Sequence, residues 1–526
     1  MVGLLAGLKQ QPASNCRQSK EVGLQYDLKQ LPDGHAIDCE LCIVGAGAAG
    51  ITIAKELAGT DISVCLLESG SLEWEDDTQA LYAGKFSGTL PPRDPLESRL
   101  RYFGGTTNHW AGCCMPLNEI DFETRSWVPD SGWPINRSDI DTYYRRAQNY
   151  CELGAFEYGE TLWNGLDVKA LAFDRDRIVT RFFQESPPTN FAEVHGPTVL
   201  KANNIQTVIN ANVLGFNASD GGREITYIDI AALNGKRGRV TAKYFVLACG
   251  GIENARLLLL SDNQNSNGLG NDHDLVGRYY NDHLYSRLGF AWSAIPNIWQ
   301  RHGLSEHDHE ASNGWMRPSG DPVMIRPIAS LSDTWQRKMG VLDIGVMAEE
   351  PEEDDETFPA ARKNQPELRH RVSLVAQSET APNRDSRVKL GSDRDALGQR
   401  RPSIDWRLSE IDMHTQETMA HAFGSEVTRL GIARMRVDDW IQNQDWTSAM
   451  GRENEPLSGN AHHMGTTRMA DDPTKGVVDK DCVVHGIANF YIAGSSVFPS
   501  SGFANPTLTI VALALRTADT LKRQLK

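Results

Sequence analysis

The 526-residue chain has no apolar run that reaches the ~18 residues a membrane-crossing helix needs. Its start, Met1-Val2-Gly3-Leu4-Leu5-Ala6-Gly7-Leu8-Lys9, lacks the charged lead and sustained apolar core of a secretory signal. No membrane segment and a cytoplasmic location are therefore the expectation. Positive charge is also scarce: 53 Lys and Arg against 69 Asp and Glu give a net charge of −16, and no basic patch offsets it, so nucleic acid is not an expected partner. The nine cysteines are odd in number and lack paired spacings, which excludes a disulfide scaffold. Cys39 and Cys42 form a C-x-x-C inside an expected buried strand with no second pair nearby; they read as small apolar residues, and no metal site is expected. No repeat of fixed period and no low-complexity tract is present, which excludes a solenoid. Nothing in the sequence sets the oligomeric state.

What is present points to a globular enzyme. The length exceeds what one hydrophobic core supports, so two lobes are expected, and 40% hydrophobic with 23% charged residues is ordinary for soluble domains. The run Glu349, Glu350, Glu352, Glu353, Asp354, Asp355 and Glu356 reads as a solvated loop. Three strand-to-glycine-to-helix units lie far apart: Ile37 to Val44 before Gly45, Tyr244 to Cys249 before Gly250, and Phe490 to Ala493 before Gly494. If they share one sheet, the stretches between them are insertions. The expectation is an α/β protein: a Rossmann-type nucleotide domain from 36–125, 195–290 and 456–526, and an inserted α+β substrate domain with a mostly antiparallel sheet from 126–194 and 291–455. Residues 1–35 read as an arm. In the inserted part, Val372 to Val375 and Arg387 to Leu390 are strand-prone. Its tryptophans, Trp292, Trp299, Trp315, Trp335, Trp406, Trp440 and Trp446, read mostly as core, with a sugar-binding role for some as the alternative.

Gly45, Gly47 and Gly50 have the G-x-G-x-x-G spacing, in which the first glycine turns tightly, the second admits a pyrophosphate and the third lets helix pack on strand. The helix that begins at Ala48 and Ala49 presents free N–H groups and a positive dipole to phosphates. Glu68 ends the next strand where a carboxylate accepts ribose hydroxyls. The glycine motif does not separate NAD from FAD; the further Gly-rich segments Gly104-Gly105-Thr106-Thr107 and Gly494-Ser495-Ser496 favour the longer, permanently held FAD.

With these pieces, Gly132-Trp133-Pro134, Cys249-Gly250-Gly251-Ile252-Glu253-Asn254-Ala255-Arg256, His462-His463-Met464-Gly465-Thr466 and Ser501-Gly502-Phe503-Ala504-Asn505-Pro506-Thr507, the chain resembles the glucose-methanol-choline (GMC) oxidoreductases. The pattern is nearest to the pyranose 2-oxidase, sugar 3-oxidase and bacterial sugar dehydrogenase branch. The resemblance implies FAD-dependent oxidation of an alcohol group, with a secondary hydroxyl of a sugar or glycoside as the expected target and oxygen, a quinone or another electron acceptor. It implies His462 as the base and Asn505 as the amide beside it. It places Gly45, Gly47, Ala48, Ala49, Gly50, Glu68, Gly104, Gly105, Thr107, Asn108, His109, Trp110, Val213, Gly250, Gly494, Asn505, Pro506 and Thr507 along the FAD. In some relatives a histidine at the place of His109 carries a covalent link to the flavin. His463 is the weaker base candidate, and Arg468 reads as a packing ion pair. A polyol or simple alcohol as substrate, a lyase on the same fold, a nicotinamide enzyme and a non-enzymatic flavin-bearing subunit are the alternatives at this point.

Overall fold

The computed structural model describes residues 24–90, 94–163, 169–295, 297–302, 304, 315–316, 323–349, 370–449 and 456–526. Most of the expected arm, Glu350 to Glu356 of the acidic run and the side chain of Trp315 lie outside the described residues. The protein is α/β, and its first sheet has eight strands. Five lie side by side and parallel, Leu24–Asp27, Ile205–Ile209, Val64–Leu67, His35–Val44 and Arg237–Leu247, and Phe490–Ile492 joins the last of them in parallel. Ile225–Ala231 and Asn212–Ala218 extend the sheet as antiparallel strands. The three strand-to-glycine units thus share one sheet although more than 400 residues separate the outer two.

The reason is visible in the strands. Leu41, Cys42, Ile43 and Val44, like Phe245, Val246 and Leu247, are buried in succession, as strands covered on both faces must be. Helix α1, Ala48–Leu57, buries Ile51, Ile53, Ala54 and Leu57 against this sheet. Helix α2, Gly250–Leu260, and helix α3, Thr507–Gln524, follow the other two units. Strand Val64–Leu67 begins two residues later than the apolar run suggests.

A second sheet of nine strands is antiparallel in all its recorded pairs. Arg434–Val437, Leu284–Ser293, His370–Ser378, Ile344–Glu349, Met324–Leu331, Ile178–Glu185 and Cys113–Cys114 follow one another across it, with short strands Trp315–Met316 and Leu457–Gly459 attached. Arg387–Arg394, the other strand-prone piece, is not part of it. It pairs with Arg400–Trp406, which runs parallel to Lys85–Gly88, in a third sheet. Arg256 of α2 fastens that hairpin by donating to the Arg400 carbonyl at 2.9 Å and to Asp395 at 2.6 Å. Trp299, Trp406 and Trp440 are buried in the core. Among the described residues no cysteine is disulfide-bonded, no cluster of His, Cys, Asp and Glu is arranged to hold a metal, and no helix is long and apolar enough to cross a membrane.

Candidate active site

The C-terminal ends of the parallel strands form one edge, stitched by backbone bonds from Gly45 to Leu67, Ala248 to Val44, Ala493 to Leu247 and Glu68 to Val208. The glycines at this edge play different steric parts. A Cβ on Gly45 would stand 2.6 Å from the Ala248 carbonyl oxygen, and one on Gly50 would strike the Gly45 carbonyl. A Cβ on Gly47 would meet nothing within 4 Å, so the space over the middle glycine is open. Helix α1 begins there with no side-chain cap and no acid in its first turn, leaving N–H groups and the dipole unopposed.

Other expected contact residues surround this opening. Gly104 donates to the Ala46 carbonyl at 2.8 Å, and a Cβ on Gly105 would lie 3.1 Å from Gly47 Cα, so the Gly104–Gly105 turn borders the first glycine turn. Within it Thr107 donates to the Gly104 carbonyl, Asn108 to the Phe103 carbonyl and Trp110 to the Thr189 carbonyl, while His109 is exposed. Gly250 and Gly494, both at positive φ, face one another with Gly250 Cα 4.0 Å from where a Gly494 Cβ would be. Ala211 donates to the Glu68 carbonyl at 2.9 Å, which brings the strand that holds Val213 to the same end. Glu68 is buried and already engaged: its carboxylate accepts from the Ala46 and Gly70 amides at 3.0 and 2.9 Å and from Ser69. It ties the glycine turn to the next loop, with further lone pairs for a ribose.

The segment that holds His462 is fastened across this edge. Ser495 donates to the His463 carbonyl at 2.7 Å, Thr467 to the Ser496 carbonyl through its amide at 2.8 Å, and Thr466 through its hydroxyl to the Gly251 carbonyl. His462 itself is half-buried. Its amide donates to Asp282 at 2.7 Å, and its Nδ1 lies 2.9 Å from Nδ1 of His283, the two rings nearly perpendicular at 85°. Asn505, also half-buried, stands just before α3, with Pro506 at the helix N-cap and Thr507 as its first residue. Its Oδ1 accepts from Gln377 Nε2 at 2.6 Å, and Asn460, two residues before His462, donates to Gln377 Oε1. One chain of hydrogen bonds, through Gln377, therefore joins Asn505 to Asn460, and Asp282 ties the Asn460 and His462 amides together.

Burial sets the charge states here. His283 is pushed down to about 4 by burial, so it is neutral near pH 7. His463 is pushed down to about 3, by burial and then by the Arg99 charge, and its carbonyl packs under Gly251, which leaves it a buried ring that resists taking up a proton. Asp282 is pushed up to about 7 by burial, against the opposing pull of the His462 and Asn460 amides. Arg468 is buried and forms no ion pair among the described residues; it donates to the Asp130 carbonyl at 2.5 Å and lies over the Tyr279 ring. That corrects the ion-pair expectation: a carbonyl and a ring face take the place of a carboxylate.

Sequence reasoning missed Asp282, His283, Gln377 and Asn460. The available signal was the polar triplet Asn281-Asp282-His283 leading directly into the strand that starts at Leu284.

Known proteins resemble this chain along most of its length. The chain is 25% identical to the large subunit of fructose dehydrogenase from Gluconobacter japonicus, over 93% of this chain and 99% of that one. It is 27% identical to paromamine 6′-oxidase from Streptomyces fradiae, over 91% and 90%. Among solved structures, pyridoxine 4-oxidase from Mesorbium loti superposes with a TM-score of 0.56 at 17% identity, covering 92% of this chain and 99% of the other, a likeness of fold. Residues 382–514 match the model of the GMC oxidoreductase family, which places that C-terminal part of the chain in it.

Proposed function

We propose that the enzyme uses FAD to oxidise an alcohol group, and that its substrate is a sugar or glycoside oxidised at a secondary hydroxyl. The observation that carries this reading is that His462 and Asn505 are bound into one network beside the glycine edge of the first sheet. The sugar class draws support from two relatives named for sugar substrates, a fructose dehydrogenase and a paromamine 6′-oxidase. Polyols and simple alcohols are the second class, and the electron acceptor is oxygen, a quinone or another oxidant.

The residues present fit the cofactor. The open space over Gly47, the unopposed α1 N-terminus and the Glu68 carboxylate suit a pyrophosphate followed by a ribose. Gly45 to Gly50 and Glu68 would hold these parts, Val213 would border the adenine, and Gly104 to Trp110, Gly250, Gly494 and Asn505 to Thr507 would line the rest. In this assignment 36–125, 195–290 and 456–526 carry FAD, and 126–194 with 291–455 form the substrate side. Bound FAD supplies the hydride acceptor that turns a CH–OH carbon into a carbonyl.

The chain's own residues handle the proton and the oxygen. A neutral imidazole with an ordinary pKa of ~6.5 accepts the hydroxyl proton near neutral pH, and His462 has that role. Asn505 donates to the oxygen as negative charge develops on it and does not compete for the proton. The neutral His283 beside His462 adds no positive charge that would lower its basicity.

Anaerobic mixing with a panel of sugars, glycosides, polyols and simple alcohols tests the proposal. Bleaching of the flavin by sugars or glycosides is expected. Bleaching only by simple alcohols or polyols overturns the substrate class, and no bleaching by any alcohol overturns the reaction. Denaturing the same sample decides attachment through His109, because a covalent flavin stays with the polypeptide.

A further inference from the structure

We propose that His283 and Gln377 are positioning residues that fix the hydrogen arrangement of His462 and Asn505, so that an imidazole lone pair and an amide N–H face one substrate oxygen. The inference rests on the roles just proposed for those two residues.

The amide side follows from a fixed acceptor. The Phe503 carbonyl can only accept, so the Gln377 atom bonded to it at 2.5 Å is nitrogen. The same nitrogen reaches Asn505 at 2.6 Å, which requires Asn505 to meet it with oxygen. Gln377 Oε1 is engaged in turn by Asn460 Nδ2. With Oδ1 turned to Gln377, Asn505 presents its NH₂ group to a substrate oxygen. A flipped Asn505 would set two NH₂ groups against each other and present an acceptor to an alkoxide.

The imidazole side follows from His283. Two Nδ1 atoms 2.9 Å apart hold one proton between them. His283 is fully buried and neutral, so it owns a single N–H. Its Nε2 makes no hydrogen bond of ordinary geometry among the described residues, and the other polar groups that act on the ring are the Glu379 carboxylate and then the carbonyls of Gly502 and Ser501, none of which has a proton to give it. A His283 proton on Nδ1 would leave Nε2 bare in surroundings that offer it carbonyls. With the proton on Nε2, His283 Nδ1 accepts and His462 Nδ1 donates. A neutral imidazole that donates from Nδ1 has its lone pair on Nε2, which is the proton acceptor that alcohol oxidation needs. The bond from the His462 amide to Asp282 at 2.7 Å holds the backbone while the ring is oriented.

The experiment is ¹⁵N NMR of the holoenzyme labelled at histidine, with His462 identified by the resonances lost in His462→Ala. The expected spectrum has His462 protonated at Nδ1 and unprotonated at Nε2; the reverse overturns the proposal without need of any further variant. Flavin reduction supplies the second readout. His283→Leu and Gln377→Glu should retain bound flavin and slow reduction by about 10- to 100-fold, the scale of a buried partner left unmatched. His283→Gln, whose amide oxygen can accept from His462, should return to within about fivefold of wild type. Wild-type rates in His283→Leu, or a His283→Gln as slow as His283→Leu, overturn the inference. If His462→Ala itself reduces flavin at the wild-type rate, the proposed function fails; if only His283→Leu does, the function stands and the positioning role falls.

Discussion

The two sides of the candidate site are built from different materials. The nucleotide side consists of backbone: glycines whose missing side chains permit contact or leave space, helix N-termini, and carbonyls at strand ends. The catalytic side consists of side chains drawn from Asn281 to His283, Gln377, Asn460 to His462 and Phe503 to Asn505, joined across separations of 179 residues for His283 with His462 and 128 for Gln377 with Asn505. A backbone site fails by steric collision and a side-chain network fails by loss of proton order, so the two sides break in different ways.

The largest effect is expected at Gly50. Any Cβ there strikes the Gly45 carbonyl, so Gly50→Val should cost about 3 kcal/mol or more and release the flavin; thermal melting and flavin absorbance check both. On the catalytic side, Asn505→Ala should retain flavin and slow its reduction by about 10²- to 10³-fold in single-turnover mixing, the scale of a lost donor to a developing oxyanion. A retained rate there would place the donor elsewhere.

Asp282→Asn probes the support beneath His462. Asp282 is pushed up to about 7 in the folded protein, whereas an unfolded aspartate titrates at about 3.9. The folded state therefore binds more protons between those values, and this carboxylate's contribution to stability declines as pH rises from about 4 to about 7, then levels. The stability of Asp282→Asn relative to wild type should rise across that window in denaturant melts; a constant difference would show that the carboxylate does not titrate there. The smallest change in stability is expected at Gly47→Ala, within about 0.5 kcal/mol because its Cβ meets nothing, yet flavin retention on dialysis should weaken.

The same contrast explains what the sequence disclosed. The strand, glycine turn, helix and acid from Ile37 to Glu68 are legible because local spacing encodes local geometry, and the structure places α1 and its flanking strands there. Arg387 to Leu390 shows its strand character locally, but its membership of a third sheet depends on Lys85–Gly88, some 300 residues away and parallel to Arg400–Trp406. His462 and Asn505 stood out through family resemblance alone. Their partners His283 and Gln377 lie in or beside buried strands of the second sheet, where no local periodicity distinguishes a polar residue that orients a neighbour from one that merely satisfies it.

The central claim is that His462 removes the substrate's hydroxyl proton at the glycine edge. The most direct measurement is anaerobic single-turnover reduction of the flavin by a good substrate in wild type and His462→Ala, at equal flavin content. A fall of about 10²- to 10⁴-fold is predicted, and a rate within about tenfold of wild type would contradict the account.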